Sequence, residues 1–171
     1  MIRIIAFVAA ALAVTLWAGA SQAEDQVARG KYLVTIIGCG DRHTPGNLLG
    51  KPDLAHQLSG SEVGFEMPGV GVFVPRNLTP DDDTGLGKWS EAQIVTSIMT
   101  GKRPDGRILA PVMPWMDFAA LTPTDAHAIA AHLKSLPPVK NAIPGPFGPT
   151  EKAAVLIYRI VPGDGMAARG K

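Results

Sequence analysis

The chain has one cysteine among 171 residues, Cys39, so an internal disulfide is excluded. Aromatic residues make up only 6% of it. A small chain with so few bulky side chains fills its own centre poorly, and a cofactor or metal would help. Neither sign of charge dominates: 16 Lys and Arg stand against 15 Asp and Glu. Arg3 is the one charged residue of positions 1–23, so the remainder carries 15 of each. No basic field argues for nucleic acid. Apart from one run near the N-terminus, no stretch is long and apolar enough to cross a bilayer. What is abundant is Gly (19) and Pro (15), the composition of a loop-rich domain.

Residues 1–23 read as a secretory signal. Arg3 gives the positive start, Ile4 to Trp17 the apolar run, and Ser21-Gln22-Ala23 a small-residue cleavage site. The mature chain then starts at Glu24. The other reading is an uncleaved anchor, for which the run is short. Export predicts a periplasmic protein. In such an oxidising place the lone thiol is paired to another chain, free, or bonded to something else.

The apolar spacing predicts a first helix over 25–37, with Val27, Tyr32, Leu33 and Ile36 as its stripe. Gly30 at its middle suggests a close approach by another backbone. Residues 44–83 are irregular, with strand-like pieces at 64–68 and 71–74. So long a loop is usually functional or wrapped around something. Asp81-Asp82-Asp83 lacks the spacing of a calcium loop and reads as a solvated acidic turn. A second helix spans 90–100, opened by a Ser90/Gln93 capping box and stopped by Gly101. Residues 109–116 read as extended, because of Pro111 and Pro114. A third helix follows, with Thr122 as N-cap, Pro123 at its first position, and Ala126, Ile129, Ala130 and Leu133 buried. Residues 139–149 read as a proline-rich strap, 151–160 as a short helix, and 163 onward as a loose tail. The expected domains are therefore 1–23, 24–138, and a strap and tail over 139–171. No internal repeat is present.

One stretch carries chemistry: Gly38-Cys39-Gly40-Asp41-Arg42-His43-Thr44-Pro45-Gly46. It matches the C-x-x-C-H haem-attachment signature with one part replaced, since Arg42 holds the second cysteine's place. Residues i and i+4 share a helical face, so Cys39 and His43 can address the edge and the centre of one flat ring. Arg42 makes no thioether; it turns to solvent or finds a propionate, because an unpaired buried charge is costly. Other chemistries for the same residues are a thiol enzyme with Cys39 as nucleophile and His43 as base, and a copper carrier using Cys39, His43 and a methionine. A haem-free interaction module is the fourth reading.

Four motifs in order resemble the class I-type cytochrome c domain in its exported monohaem form, over residues 26–138. They are Arg29-Gly30-Lys31-Tyr32-Leu33 before the Cys39…His43-Thr44-Pro45 site; Asn77-Leu78-Thr79-Pro80-Asp81 leading to Thr84-Gly85-Leu86-Gly87-Lys88-Trp89-Ser90; Gly101-Lys102-Arg103-Pro104-Asp105-Gly106-Arg107 leading to Pro111-Val112-Met113-Pro114-Trp115; and the helix from Leu121-Thr122 to Leu136. The ordered set is most like the small cytochromes associated with dehydrogenases.

The resemblance implies a mainly α fold, three core helices around a haem with long irregular loops. The first helix would cross the last at Gly30, with Tyr32 near the crossing. His43 would be the proximal iron ligand and Met113 the distal one, with Met116 as its competitor. Pro45 would orient the histidine. Asn77, Trp89 and Arg103 would lie near the haem rim with Arg42. His132 would pack where relatives carry an aromatic, while Met67 and Met99 fill core gaps. The implied cofactor is one haem c, attached through a single thioether at Cys39. The implied role is periplasmic electron transfer from a dehydrogenase to an oxidase or another cytochrome, not substrate chemistry. Membrane contact would come only through partners or an uncleaved signal.

Overall fold

The computed structural model describes residues 24–161; the expected signal peptide and the expected tail from 163 lie outside the described residues. In chain order the described helices are α1 (24–36), α2 (Cys39–His43), α3 (Glu91–Thr100), α4 (Trp115–Phe118) and α5 (Pro123–Ser135). Strands β1 (Val63–Met67), β2 (Gly71–Phe73) and β3 (Leu156–Tyr158) accompany them. The chain divides into two compact units. The first comprises 24–37, 89–109 and 114–136; the second comprises 38–88, 110–113 and 137 onward.

The first unit is helical. Ser90 accepts the Gln93 N–H while the Gln93 side chain accepts the Ser90 N–H, so α3 opens on the expected capping box. Gly101 closes it at φ 72°, a left-handed conformation that favours glycine. Thr122 caps α5 through the Asp125 N–H. Asp125 also takes the Arg29 guanidinium at 2.9 Å, an exposed pair of small energetic value. Ile94, Ala126, Ile129, Ala130 and Leu133 form the core with Leu33 and Val34.

Gly30 is where α1 meets α5. A Cβ there would lie 1.9 Å from the Ala128 carbonyl oxygen and 2.7 Å from the His132 Cβ. Contact at residue 30 makes 33 and 34 the next residues on the same face. This corrects the expected stripe: Val34 is buried, whereas Tyr32 and Ile36 are more than half exposed. Tyr32 lies instead under the Arg29 guanidinium, 5.4 Å from its ring centre.

His132 is buried on α5, and its Nδ1 has no hydrogen-bond partner. Burial, with a smaller contribution from the Lys31 charge, holds its pKa below the usual 6.5. The folded pKa lies under the unfolded one, so the unfolded chain binds more protons in acid. Stability is therefore full above about pH 6.5 and falls as the pH drops through that value. His132→Phe is expected to flatten the acid limb of the urea midpoint measured from about pH 8 to 5. An unaltered limb would remove His132 as a source of the acid sensitivity.

Two expected elements differ. Residues 109–116 are not extended throughout: a turn closes from the Met113 N–H to the Ala110 carbonyl, and α4 starts directly after Pro114. Proline is compatible with a helix start, where its missing N–H has no helical partner to lose. Residues 151–160 form no helix. They supply β3, which runs parallel to β1 with Val63 opposite Leu156 and Phe65 opposite Tyr158. Val155, Ile157 and Tyr158 favour extended backbone, and β1 offers the hydrogen-bonding groups that a lone short helix would leave unmatched.

The second unit is mostly loop around this sheet, whose strand order is β2-β1-β3. The fold is thus mainly α only as a coarse description. The strap belongs to this unit. Phe147 bridges to Val72, and Val139 and Asn141 exchange hydrogen bonds with Asn77, Thr79 and Thr84. Asp81 closes its own turn by accepting from the Asp83 and Thr84 N–H groups and the Thr84 hydroxyl.

Candidate functional site

Helix α2 is one turn and a little more, entered through Gly38 at φ 70°. A helix this short has little stability of its own, so its surroundings must hold it. The Gly60 N–H donates to the His43 carbonyl at 2.8 Å, and the Leu58 N–H to Thr44 Oγ1 at 3.2 Å. The Asp53 N–H donates to the Pro45 carbonyl at 2.9 Å, and Glu62 accepts the Gly46 N–H. Pro45 thereby sits in a turn tied at both ends.

The His43 ring is fixed by one contact from far along the chain. Its Nδ1–H donates to the Arg76 carbonyl at 2.7 Å. Burial is the main cause holding its pKa below 6.5; the Arg42 charge acts the same way, and the Arg76 carbonyl opposes. The result is a neutral imidazole with its proton on Nδ1 and its lone pair on Nε2. An imidazole that ligates a metal needs this state, and its other nitrogen ordinarily donates to a carbonyl or carboxylate.

Cys39 is half-buried and free of any disulfide. Burial pushes its thiol up to about 11. At neutral pH it is protonated and a weak nucleophile. A thiol held protonated in this way is not an activated nucleophile, and the thiol-enzyme reading loses its support. For the copper reading, among the described residues no group of three or more His, Cys, Asp or Glu side chains is placed to hold a metal ion, so no second histidine joins Cys39 and His43.

Arg42 turns outward, as charge burial requires, and its guanidinium lies 6.0 Å from the Phe65 ring centre. Met113 is half-buried and belongs to the same unit as His43. Met116 lies on α4 in the other unit and is 53% exposed. Asn77 is 1% exposed and its amide is saturated. Nδ2 donates to Thr84 Oγ1 and the Val139 carbonyl; Oδ1 accepts the Thr79 N–H and hydroxyl. With no donor left over, it fixes a loop and offers nothing to a haem rim.

Trp89 and Arg103 belong to the first unit. The Arg103 guanidinium stacks 5.5 Å from the Trp89 ring centre, with one Nη 3.4 Å from the Asp105 carboxylate. Its Nε is buried and has no partner. The second unit therefore gathers Cys39, Arg42, His43, Pro45, Asn77 and Met113, and the other two rim candidates lie outside it. Sequence reasoning missed Arg76 and Phe65. Neither stands in a motif, and only the fold brings them to His43 and Arg42.

These residues fit a haem in the chemistry of their donors: a neutral imidazole with a free Nε2, a thiol one helical turn before it, and a thioether in the same unit. No protein-family model matches the chain. It is similar to the cytochrome c subunit of a quinone alcohol dehydrogenase from Gluconacetobacter polyoxogenes. That match is 34% identical over 120 residues, covering 68% of this chain and 25% of the relative. The cytochrome subunit of fructose dehydrogenase from Gluconobacter japonicus is 31% identical over 113 residues, covering 64% and 22%. A diheme cytochrome c-type protein of Cereibacter sphaeroides is 30% identical over 117 residues, covering 68% and 38%. The chain spans about a quarter of the length of the first of these relatives. The matches support a cytochrome c domain in this chain, and two of these three relatives are named as cytochrome subunits of dehydrogenases.

Proposed function

We propose that the chain is an exported electron carrier with one haem, held by His43 and Met113 as axial ligands and by a single thioether at Cys39. The observation that carries this is the His43 imidazole, neutral and oriented by the Arg76 carbonyl. When bound, haem supplies a one-electron iron couple whose potential the axial ligands and surroundings set. The chain's own residues do the rest. His43 offers Nε2, and the Arg76 carbonyl raises its basicity. Met113 offers a soft thioether, which favours ferrous iron. Cys39, kept as a thiol by burial, is available to add to a vinyl group.

The partner we assign is a dehydrogenase, by analogy with the relatives' names, with an oxidase or a second cytochrome as acceptor. Such encounters are small and transient. The site is proposed to work in the periplasm. A second reading, a haem-deficient interaction module, has one observation in its favour: Arg42 occupies the second cysteine's place and is engaged with Phe65.

Mass spectrometry of the mature chain, produced through a secretion route with haem-attachment machinery, separates the two. A haem mass on Cys39 is expected; an unmodified chain that stays colourless with added haem would establish the module. Met113→Ala is expected to lower the midpoint potential and raise the spin state. If Met116→Ala does so instead, the distal role moves to Met116. Arg42→Cys is expected to move the pyridine-haem band from an intermediate to the ordinary c-type position and to raise the content of stably attached haem. A band that does not move would show that position 42 takes no part in attachment.

A further inference from the structure

We propose that residues 139–160 brace the haem-binding turn, and that Arg76 is the positioning residue through which they act. This rests on the haem reading above only for the second of its two readouts.

His43 is held at two points: its carbonyl by the Gly60 N–H and its ring by the Arg76 carbonyl. The strap holds both holders. Beside Gly60, the Asn141 Nδ2 donates to the Ser59 carbonyl at 3.0 Å. The Ile143 side chain fills the space a Cβ at Gly60 would occupy, 2.7 Å away, and Gly60 sits at φ 106°. Around Arg76 the ties are denser. Its guanidinium donates through Nη1 to the Ile143 carbonyl and through Nη2 to the Gly145 carbonyl. Asn77 Nδ2 donates to the Val139 carbonyl at 2.7 Å, and the Val139 N–H donates to Thr79 Oγ1 at 3.1 Å. One residue therefore bonds the imidazole with its main chain and the strap with its side chain.

A separate line of contacts runs the same way. Arg42 stacks on Phe65 of β1, and Phe65 packs 5.5 Å from Tyr158 of β3. The residue that replaces a second covalent tether is thus linked to the same C-terminal segment through Phe65. Where a second thioether would fix the turn covalently, this chain has a web of hydrogen bonds and ring contacts from residues that follow α5.

The physical consequence is specific. The carbonyl that accepts Nδ1–H sets the basicity of the imidazole. A guanidinium bonded to two carbonyls keeps the main chain of residue 76 from turning. Its loss would loosen the acceptor without touching the ring. With a less basic imidazole the ferric state is less favoured, so the potential rises.

The test uses the full mature chain with 15N-labelled histidine, as wild type, Arg76→Ala and Arg76→Lys. In the haem-free chain the His43 Nδ1–H resonance is expected to move upfield and exchange faster in Arg76→Ala, with partial return in Arg76→Lys. In the haem-loaded chain the midpoint potential is expected to rise in Arg76→Ala and to recover partly in Arg76→Lys. If Arg76→Ala does not fold, the comparison of Arg76→Lys with wild type carries the same signs. A fall in melting temperature with the Nδ1–H resonance and the potential both unchanged would overturn the proposal, leaving Arg76 a stabilising residue only. A chain that takes up no haem defeats the haem reading instead, and the ring-proton readout still decides the brace.

Discussion

Gly30→Ala is expected to destabilise the first unit by about 2 kcal/mol net, from an overpacking cost of about 3 kcal/mol, the upper part of the range for a tight contact. The new methyl would stand 1.9 Å from the Ala128 carbonyl oxygen and 2.5 Å from its carbon, both backbone atoms of α5. Backbone cannot rotate aside as a side chain can, so α1 and α5 must separate. One effect works in the opposite direction. Alanine is the better helix former, by about 1 kcal/mol. The steric effect is the larger, and the net sign is loss. A urea titration followed by far-UV circular dichroism measures it. A midpoint that rises would mean the two helices do not meet at this glycine, and the crossing would have to be placed elsewhere.

Asn77→Ala is the second large effect, about 3 kcal/mol, because the substitution removes four hydrogen bonds at once and strands the buried Thr79 N–H. The Val139 carbonyl and the Thr84 hydroxyl each lose a donor and the Thr79 N–H loses its acceptor, while the Thr79 hydroxyl keeps the Val139 carbonyl at 3.3 Å. Water does not reach them easily, since Asn77 and Thr79 are each 1% exposed. The strap should loosen first, so proteolysis and amide exchange over residues 139–147 should accelerate more than those over α5. A contrary result is well defined. If Asn77→Ala keeps its stability and instead changes the visible spectrum of the loaded chain, the asparagine contacts the haem after all.

The linear pattern made some of this legible and hid the rest, for physical reasons. Helices α3 and α5 were readable because their signals are local. A Ser90/Gln93 box and a Gly101 stop, or a Thr122 cap followed by Pro123, act within a few residues of themselves. Gly30 was readable because a glycine inside an otherwise good helix calls for an outside cause, here the Ala128 carbonyl. Tyr32 was misplaced because apolar character alone does not fix which of two adjacent faces is covered. Contact at residue 30 chose Leu33 and Val34. Strand β3 was misread as a helix because its partner lies some 90 residues earlier, and no window of sequence contains both.

The sequence by itself determined which atoms are on offer: one thiol, an imidazole four residues later, an arginine in place of a second thiol, and a methionine ahead of the last helix. It could do so because covalent chemistry and helical spacing are properties of short segments. Only the tertiary structure decided the state of those atoms. The Arg76 carbonyl, 33 residues from His43, places the imidazole proton on Nδ1. Burial keeps Cys39 a thiol, and Phe65 gives Arg42 a place to rest. Protonation, tautomer and orientation depend on neighbours in space, which the order of residues along a chain does not contain.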